Sequence, residues 1–154
     1  MEIEELKLLV KKTVKQACEL KNKYTDERDA HVNYACIFSQ SDSGYKDLLM
    51  TAQKIGKVIE KTPTGPLFQI NSLDTISGKL NLLKIRLPDS KRPERGDADF
   101  TVSDYPKFKK RYLSKKGFKL ITRDNFEMIE LYIPSFNVRV YFSYPPLDQQ
   151  FGLI

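Results

Sequence analysis

From Glu2 to about Tyr24, apolar residues fall at Ile3, Leu6, Leu9, Val10, Val14, Ala17 and Leu20. Spacings of three and four place them on one stripe of an α-helix. Glutamates open the stretch and lysines close it, the order that the helix dipole favours. The stripe must be buried, either on the rest of the chain or on a second copy, so a homodimer is one expected outcome. Thr25 to Asp29 is polar. The helix and this linker, residues 1–28, therefore read as a segment preceding a single domain at 29–154.

Beyond the linker the pattern changes. His31 to Ser39 is rich in β-branched and aromatic residues without a breaker and predicts a strand. Leu48, Leu49, Ala52 and Ile55 give a helix over Tyr45 to Ile55, with Gly56 as its stop. Short strands follow at 57–61 and 67–70, separated by Pro63, Gly65 and Pro66. Gly78 precedes a strand from Lys79 to Leu87, in which Leu83, Ile85 and Leu87 alternate with Leu82, Lys84 and Arg86.

A polar stretch containing Pro93 and Gly96 then leads into Ala98, Phe100 and Val102, which alternate with Asp97, Asp99 and Thr101. This is a strand with one polar face, on which the two carboxylates stand about 7 Å apart. Facing a cavity they could act on one small ligand; facing solvent they are a wet surface. Asp104 is placed to cap a helix with Pro106 in its first turn and Phe108, Tyr112 and Leu113 on its apolar side. Gly117 ends that helix, and strands are expected at 118–122, 126–132 and 137–142, with a tail whose Phe151, Leu153 and Ile154 should dock on something, which adds to the expectation of a homodimer.

The order strand, helix, strand, strand, strand thus occurs twice, in halves 31–88 and 97–144, with Gly56 matching Gly117. Neither half can bury both faces of its small sheet alone. The expected fold is α+β: duplicated βαβββ modules forming a cupped, mainly antiparallel sheet with helices outside, plus the N-terminal helix. A ligand belongs in the concavity.

Composition narrows the function. The 154 residues suffice for one core, and no apolar run is long enough to span a membrane. The acidic start, Met1-Glu2-Ile3-Glu4-Glu5, is unlike a secretory signal, so a cytoplasmic location is expected. Cys18 and Cys36 are too few and too far apart for a zinc motif and read as buried thiols. The net charge of +6 is dispersed except for Lys107 to Lys116, which is either the solvent face of a helix or a phosphate-binding surface. A basic nucleic-acid module is accordingly the least favoured function. Glycine-rich phosphate loops, His-Glu-x-x-His and nucleophile elbows are absent.

Over residues 31–144 the chain resembles the vicinal-oxygen-chelate superfamily of glyoxalases, dioxygenases and bleomycin-resistance proteins. The likeness rests on the doubled βαβββ order. It also rests on Asp97-Ala-Asp-Phe-Thr-Val-Ser-Asp in the second half and on the hairpin Phe126 to Phe142 with Pro134 at its turn. The resemblance implies a small-molecule site in the cup, either catalytic, as in a lyase or isomerase, or ligand-sequestering. It also implies a divalent metal held by His on the first strand and Glu on the last strand of each half. His31 matches the first ligand and Asp97 stands at the second histidine position. The Glu positions fall near Leu82 and Val140, which cannot coordinate. Glu130 from a neighbouring strand would complete a set of His31, Asp97 and Glu130.

His31 is the only histidine. It is either the proton-transfer group of the site or a strand-end residue at the sheet's rim. Lys84 and Arg86 share a face and would grip an anion if it points inward, or meet solvent on an edge strand. Asp97, Asp99 and Glu130 could pair with these cations or serve as acids and bases. The candidate catalytic residues are therefore His31, Asp97 and Glu130, and the candidate ligand-binding residues Asn33, Lys84, Arg86 and Asp99. Tyr34, Tyr132 and Tyr141 read as packing residues with hydroxyls that reach a partner. The expected ligand is a small anionic metabolite.

Overall fold

The computed structural model describes residues 1–153; Ile154, part of the expected docking tail, lies outside the described residues. The chain runs α1 (Ile3–Tyr24), β1 (His31–Phe38), α2 (Asp42–Ala52), β2 (Gly56–Thr62), β3 (Gly65–Thr75), β4 (Gly78–Arg86), β5 (Gly96–Thr101), α3 (Tyr105–Tyr112), β6 (Phe118–Thr122), β7 (Glu127–Leu131), β8 (Val138–Tyr144) and α4 (Leu147–Gln150). One eight-stranded sheet has the order β2-β3-β4-β1-β5-β8-β7-β6. Each module closes with a parallel pair, β1 with β4 and β5 with β8, and the other pairings are antiparallel. The doubled βαβββ sheet is present.

The two modules meet where β1 pairs antiparallel with β5, and the pair Tyr34 and Asp99 lies at the centre of the seam. A β-bulge between Val32 and Tyr34 changes the phase of β1. Val32, Ala35 and Ile37 consequently face the helices, while Asn33 reaches the side chains of Asp99 and Thr101.

The convex face carries the core. α1 buries Leu6, Val10, Val14, Ala17 and Leu20 against a cluster that includes Val32, Ala35, Ile37, Ala98, Phe100, Val138, Val140 and Phe142. Of the two uses foreseen for its apolar stripe, burial on the domain is the one realised. The polar linker is tied down by Lys21, which is fully buried. Its Nζ donates to the carbonyls of Glu27 and Arg28 and to Asn22 Oδ1 while lying over the Phe100 ring. α3 adds Tyr105, Phe108 and Tyr112, with the Phe108 and Phe142 rings 4.4 Å apart.

Several boundaries differ from the pattern-based reading. α2 begins at Asp42 because Ser41 caps it, Oγ accepting from the Gly44 N–H at 3.0 Å. It ends at Ala52, so Gly56 is not its stop. Gly56 instead opens β2, where a Cβ would lie 2.3 Å from the Gln69 carbonyl oxygen. β3 continues to Thr75, because Leu73, Asp74 and Thr75 pair again with β4 beyond an irregularity after Gln69 that breaks the simple alternation.

Candidate functional site

The concave face of the sheet encloses a cavity of about 580 Å³, within the range of roughly 300–1,000 Å³ typical of small-molecule sites. Sheet register sets its floor in rows. Leu67, Lys84, Cys36, Asp97 and Arg139 are successive partners across β3, β4, β1, β5 and β8. Tyr34, Asp99, Tyr141 and Glu130 form the next row across β1, β5, β8 and β7. Period-two alternation carries Lys84 and Arg86, and likewise Asp97 and Asp99, onto the same face.

Asp97 and Asp99 both line the cavity and are both buried. Asp99 is held by Asn33 Nδ2 at 3.0 Å and by the Ser143 N–H at 3.2 Å, and its other oxygen accepts from the Ser143 hydroxyl. Asp97 Oδ1 is buried and has no hydrogen-bond partner among the described residues. Burial pushes Asp97 up to about 7, against the opposing pull of Arg92 and with Asp99 adding to the rise. Burial likewise raises Asp99 to about 7 against its hydrogen bonds from Ser143 and Asn33. Tyr34 and Cys36 are also pushed well up by burial, which keeps both protonated and neutral.

Four cations line the cavity: Lys84, Arg86 and Arg92, and Arg123, which is exposed. Arg86 and Arg92 both lie over the Phe38 ring, 4.7 and 5.4 Å from its centroid, so one buried aromatic aligns two guanidinium groups. Arg86 is also paired with Asp89 at 3.3 Å. Lys84 Nζ donates to Thr64 Oγ1 at 2.6 Å and forms no ion pair within the described residues. Burial lowers its pKa.

Arg92 belongs to a closed circuit. Its Nε donates to both oxygens of buried Glu94, at 3.2 and 3.1 Å. Glu94 pairs in turn with Arg139, whose Nη1 donates to Glu130 Oε2 at 3.2 Å. The Tyr141 hydroxyl donates to that same oxygen at 3.0 Å and accepts from Arg92 Nη2 at 3.2 Å. The Arg139 guanidinium lies 3.9 Å from the centroid of the Tyr132 ring. Two guanidinium groups and two carboxylates thus neutralise one another and fix Tyr141 and Arg92 at the cavity wall.

The structure brings together Asp97, Glu130, Lys84, Arg86 and Asp99, with Asn33 immediately behind Asp99. It does not bring His31 to them. That residue is exposed at the first position of β1, its Nε2 is 3.1 Å from the Lys79 carbonyl oxygen, and it is not among the cavity-lining residues. The imidazole packs on Gly78, whose φ of +104° and missing Cβ leave the space; a Cβ there would lie 2.2 Å from His31 Cε1. The expectation that His31 and Asp97 enter the cup from matching places is therefore corrected to a rim position for His31. The metal set His31, Asp97 and Glu130 fails with it. Glu130 is already bonded to Arg139 and Tyr141, Leu82 is buried, and Val140 faces the convex core. Among the described residues no three His, Cys, Asp or Glu side chains group closely enough to hold a metal ion, so the donor set does not fit the divalent metal that the resemblance implied.

Sequence reasoning missed Arg92 and Glu94, which lie in the inter-module link, and the cavity roles of Tyr34 and Tyr141. The clustering of Arg92, Glu94 and Arg95 next to the Asp97 strand was the available signal. The basic stretch on α3 is partly neutralised, Lys109 pairing with Glu127 at 2.8 Å and Arg111 with Asp26. No helix among the described residues is long and apolar enough to cross a membrane.

No family model and no curated protein matches the chain. Among solved structures, a structural-genomics structure of protein EC4020 is similar over 91% of this chain and 86% of its own, with a TM-score of 0.69 and 9% identity, and shares the fold. A glyoxalase/bleomycin resistance protein/dioxygenase superfamily member from Vibrio splendidus 12B01 aligns with a TM-score of 0.45 and 10% identity, over 74% of this chain and 97% of its own. A mutant 4-hydroxymandelate synthase from Streptomyces coelicolor aligns with a TM-score of 0.29 and 13% identity, over 75% and 49% of the respective chains.

Proposed function

We propose that the cup binds a small anionic metabolite and that Asp97 moves a proton on it, in lyase or isomerase chemistry. The observation that carries the reading is the cavity-lining Asp97, with Oδ1 unbonded and a pKa of about 7, in the same sheet row as Lys84, a cation without a carboxylate partner. A carboxyl poised near neutral pH can take a proton from carbon or return one, where a normal aspartate is too weak a base. Lys84 and Arg92 would hold the negative charge that develops on the substrate oxygen, in a setting with little water to screen it. Asp99, already bonded on both oxygens, is a support for the floor of the site.

The test is hydrogen exchange in deuterated water. The protein is incubated with small 2-oxo and 2-hydroxy carboxylates, and deuterium incorporation at C3 of the former and C2 of the latter is followed by NMR. Exchange that is abolished in Asp97→Asn while the acid still binds supports the reading. Exchange unaffected by Asp97→Asn rules it out.

The closed circuit favours a second reading, a cup that sequesters its ligand without altering it. The circuit fixes Arg92, Glu130 and Tyr141 against one another, so none of the three is free to exchange protons with a ligand. Tight binding with no exchange in the native chain would select it.

A further inference from the structure

We infer that the ligand is an amphipathic acid, with its anionic group against the first module and an apolar body against the second. This inference rests on the anion-binding reading above. In the sheet order β2 and β6 are the two edges, so the flanks of the cup that face one another belong to different modules.

The two flanks differ in chemistry. The first-module side presents Glu60, Thr62 and Thr64 beside Lys84 and Arg86, with Leu67 beneath Lys84 as its apolar contribution. The second-module side presents Ile121 from β6, Phe126 from the turn that follows and Met128 from β7, each half-buried. Arg123 on that side is exposed, and its Nη1 donates to the Thr122 carbonyl at 3.1 Å. α4, which sits over β1, adds Leu147 to the same lining, and Phe151 follows directly after it.

Half-buried Ile, Phe, Met and Leu side chains on a concave surface lose water when an apolar group is laid on them, whereas a purely ionic ligand leaves that surface wet. Met at such a site adapts to bodies of different shape. Asp97 stands on β5, between the cationic flank and the apolar one. A ligand spanning both would bring to this carboxyl the carbon that joins its acid group to its body.

The test compares three probes by NMR or calorimetric titration of the full chain: butyrate, phenylbutyrate and the neutral phenylbutanol. Phenylbutyrate is expected to bind about tenfold or more tighter than butyrate, since a buried phenyl ring removes well over 100 Å² of apolar surface from water. It is expected to exceed phenylbutanol by a similar factor, about tenfold or more. Ile121→Gln, on an edge strand, should reduce the first ratio by at least threefold, and Lys84→Gln should do the same to the second. Equal affinity for butyrate and phenylbutyrate overturns the inference while leaving the anion-binding reading standing. Phenylbutanol binding as tightly as phenylbutyrate, or no binding of any probe or of inorganic phosphate, overturns both.

Discussion

Asp97 and Asp99 project from one face of β5 two residues apart, yet Asp99 is bonded through both oxygens to Asn33 and Ser143 while Asp97 Oδ1 meets no donor. The same strand therefore supplies one carboxyl that is built into the floor and one whose Oδ1 is left without a donor. Ser143 on β8 and Asn33 at the β1 bulge make the difference, and both lie near the seam between the modules.

The pair fixes the sign of the pH dependence. Each carboxyl titrates at about 7 in the folded chain, against about 3.9 when unfolded. The unfolded chain loses these protons first. Stability from this source is therefore full below about pH 4 and is lost as pH rises to about 7, by up to roughly 4 kcal/mol per group. Asp97→Asn should flatten the decline between about pH 4 and 7, as read from urea unfolding at a series of pH values. A slope equal to that of the native chain would mean that Asp97 ionises normally.

Breaking the circuit should be costly. Arg139→Met leaves buried Glu94 with Arg92 alone and removes the guanidinium that Glu130 accepts from. A loss of about 3 kcal/mol in unfolding free energy is expected, the scale for stripping a buried carboxylate of one partner. A change below about 0.5 kcal/mol, the size of a surface substitution, would show that water takes over the role of Arg139.

His31 provides a contrast. Because its ring lies over Gly78 at the rim, His31→Ala should leave the affinity for phenylbutyrate or phosphate within about twofold. Gly78→Ala should cost about 1–2 kcal/mol, since it forces a Cβ into a left-handed backbone position and against the imidazole. Titration checks the first and thermal unfolding the second. A large loss of affinity in His31→Ala would return the imidazole to the site.

Lys21 is the support of the loop before β1. Lys21→Met keeps the aliphatic stem but leaves the Glu27 and Arg28 carbonyls without the ammonium donor. Destabilisation of about 2 kcal/mol is expected. Faster amide exchange confined to residues 25–30 would locate the effect.

Much of the frame was legible from local pattern. The strand at 118–122 and the Asp104 cap, whose Oδ1 accepts from the Lys107 N–H at 3.1 Å, follow from alternation and capping chemistry. The repeated element order pointed to two like half-sheets side by side, while which strands pair across the seam had no local signal. Lys84, Arg86, Asp97 and Asp99 were legible because period-two alternation sends them to one face whatever the tertiary detail. His31 was misjudged because antiparallel pairing sets the start of β1 against the end of β5: His31 pairs with Thr101 while Asp97 pairs with Cys36, so the two matching strand starts lie at opposite ends of the seam. Arg92 and Glu94 were missed because a residue in a link has no periodicity to betray its direction. Only the meeting of Arg92, Glu94, Glu130, Arg139 and Tyr141 across distant strands gives them a role.

α1 touches β1 and β3 of the first module and β5 and β8 of the second. Neither module can swing away from the other without stripping Leu6, Val10, Val14 and Ala17 of neighbours. The duplicated halves are therefore held as one cooperative block, and widening the hollow between them would expose the apolar stripe of α1 to water.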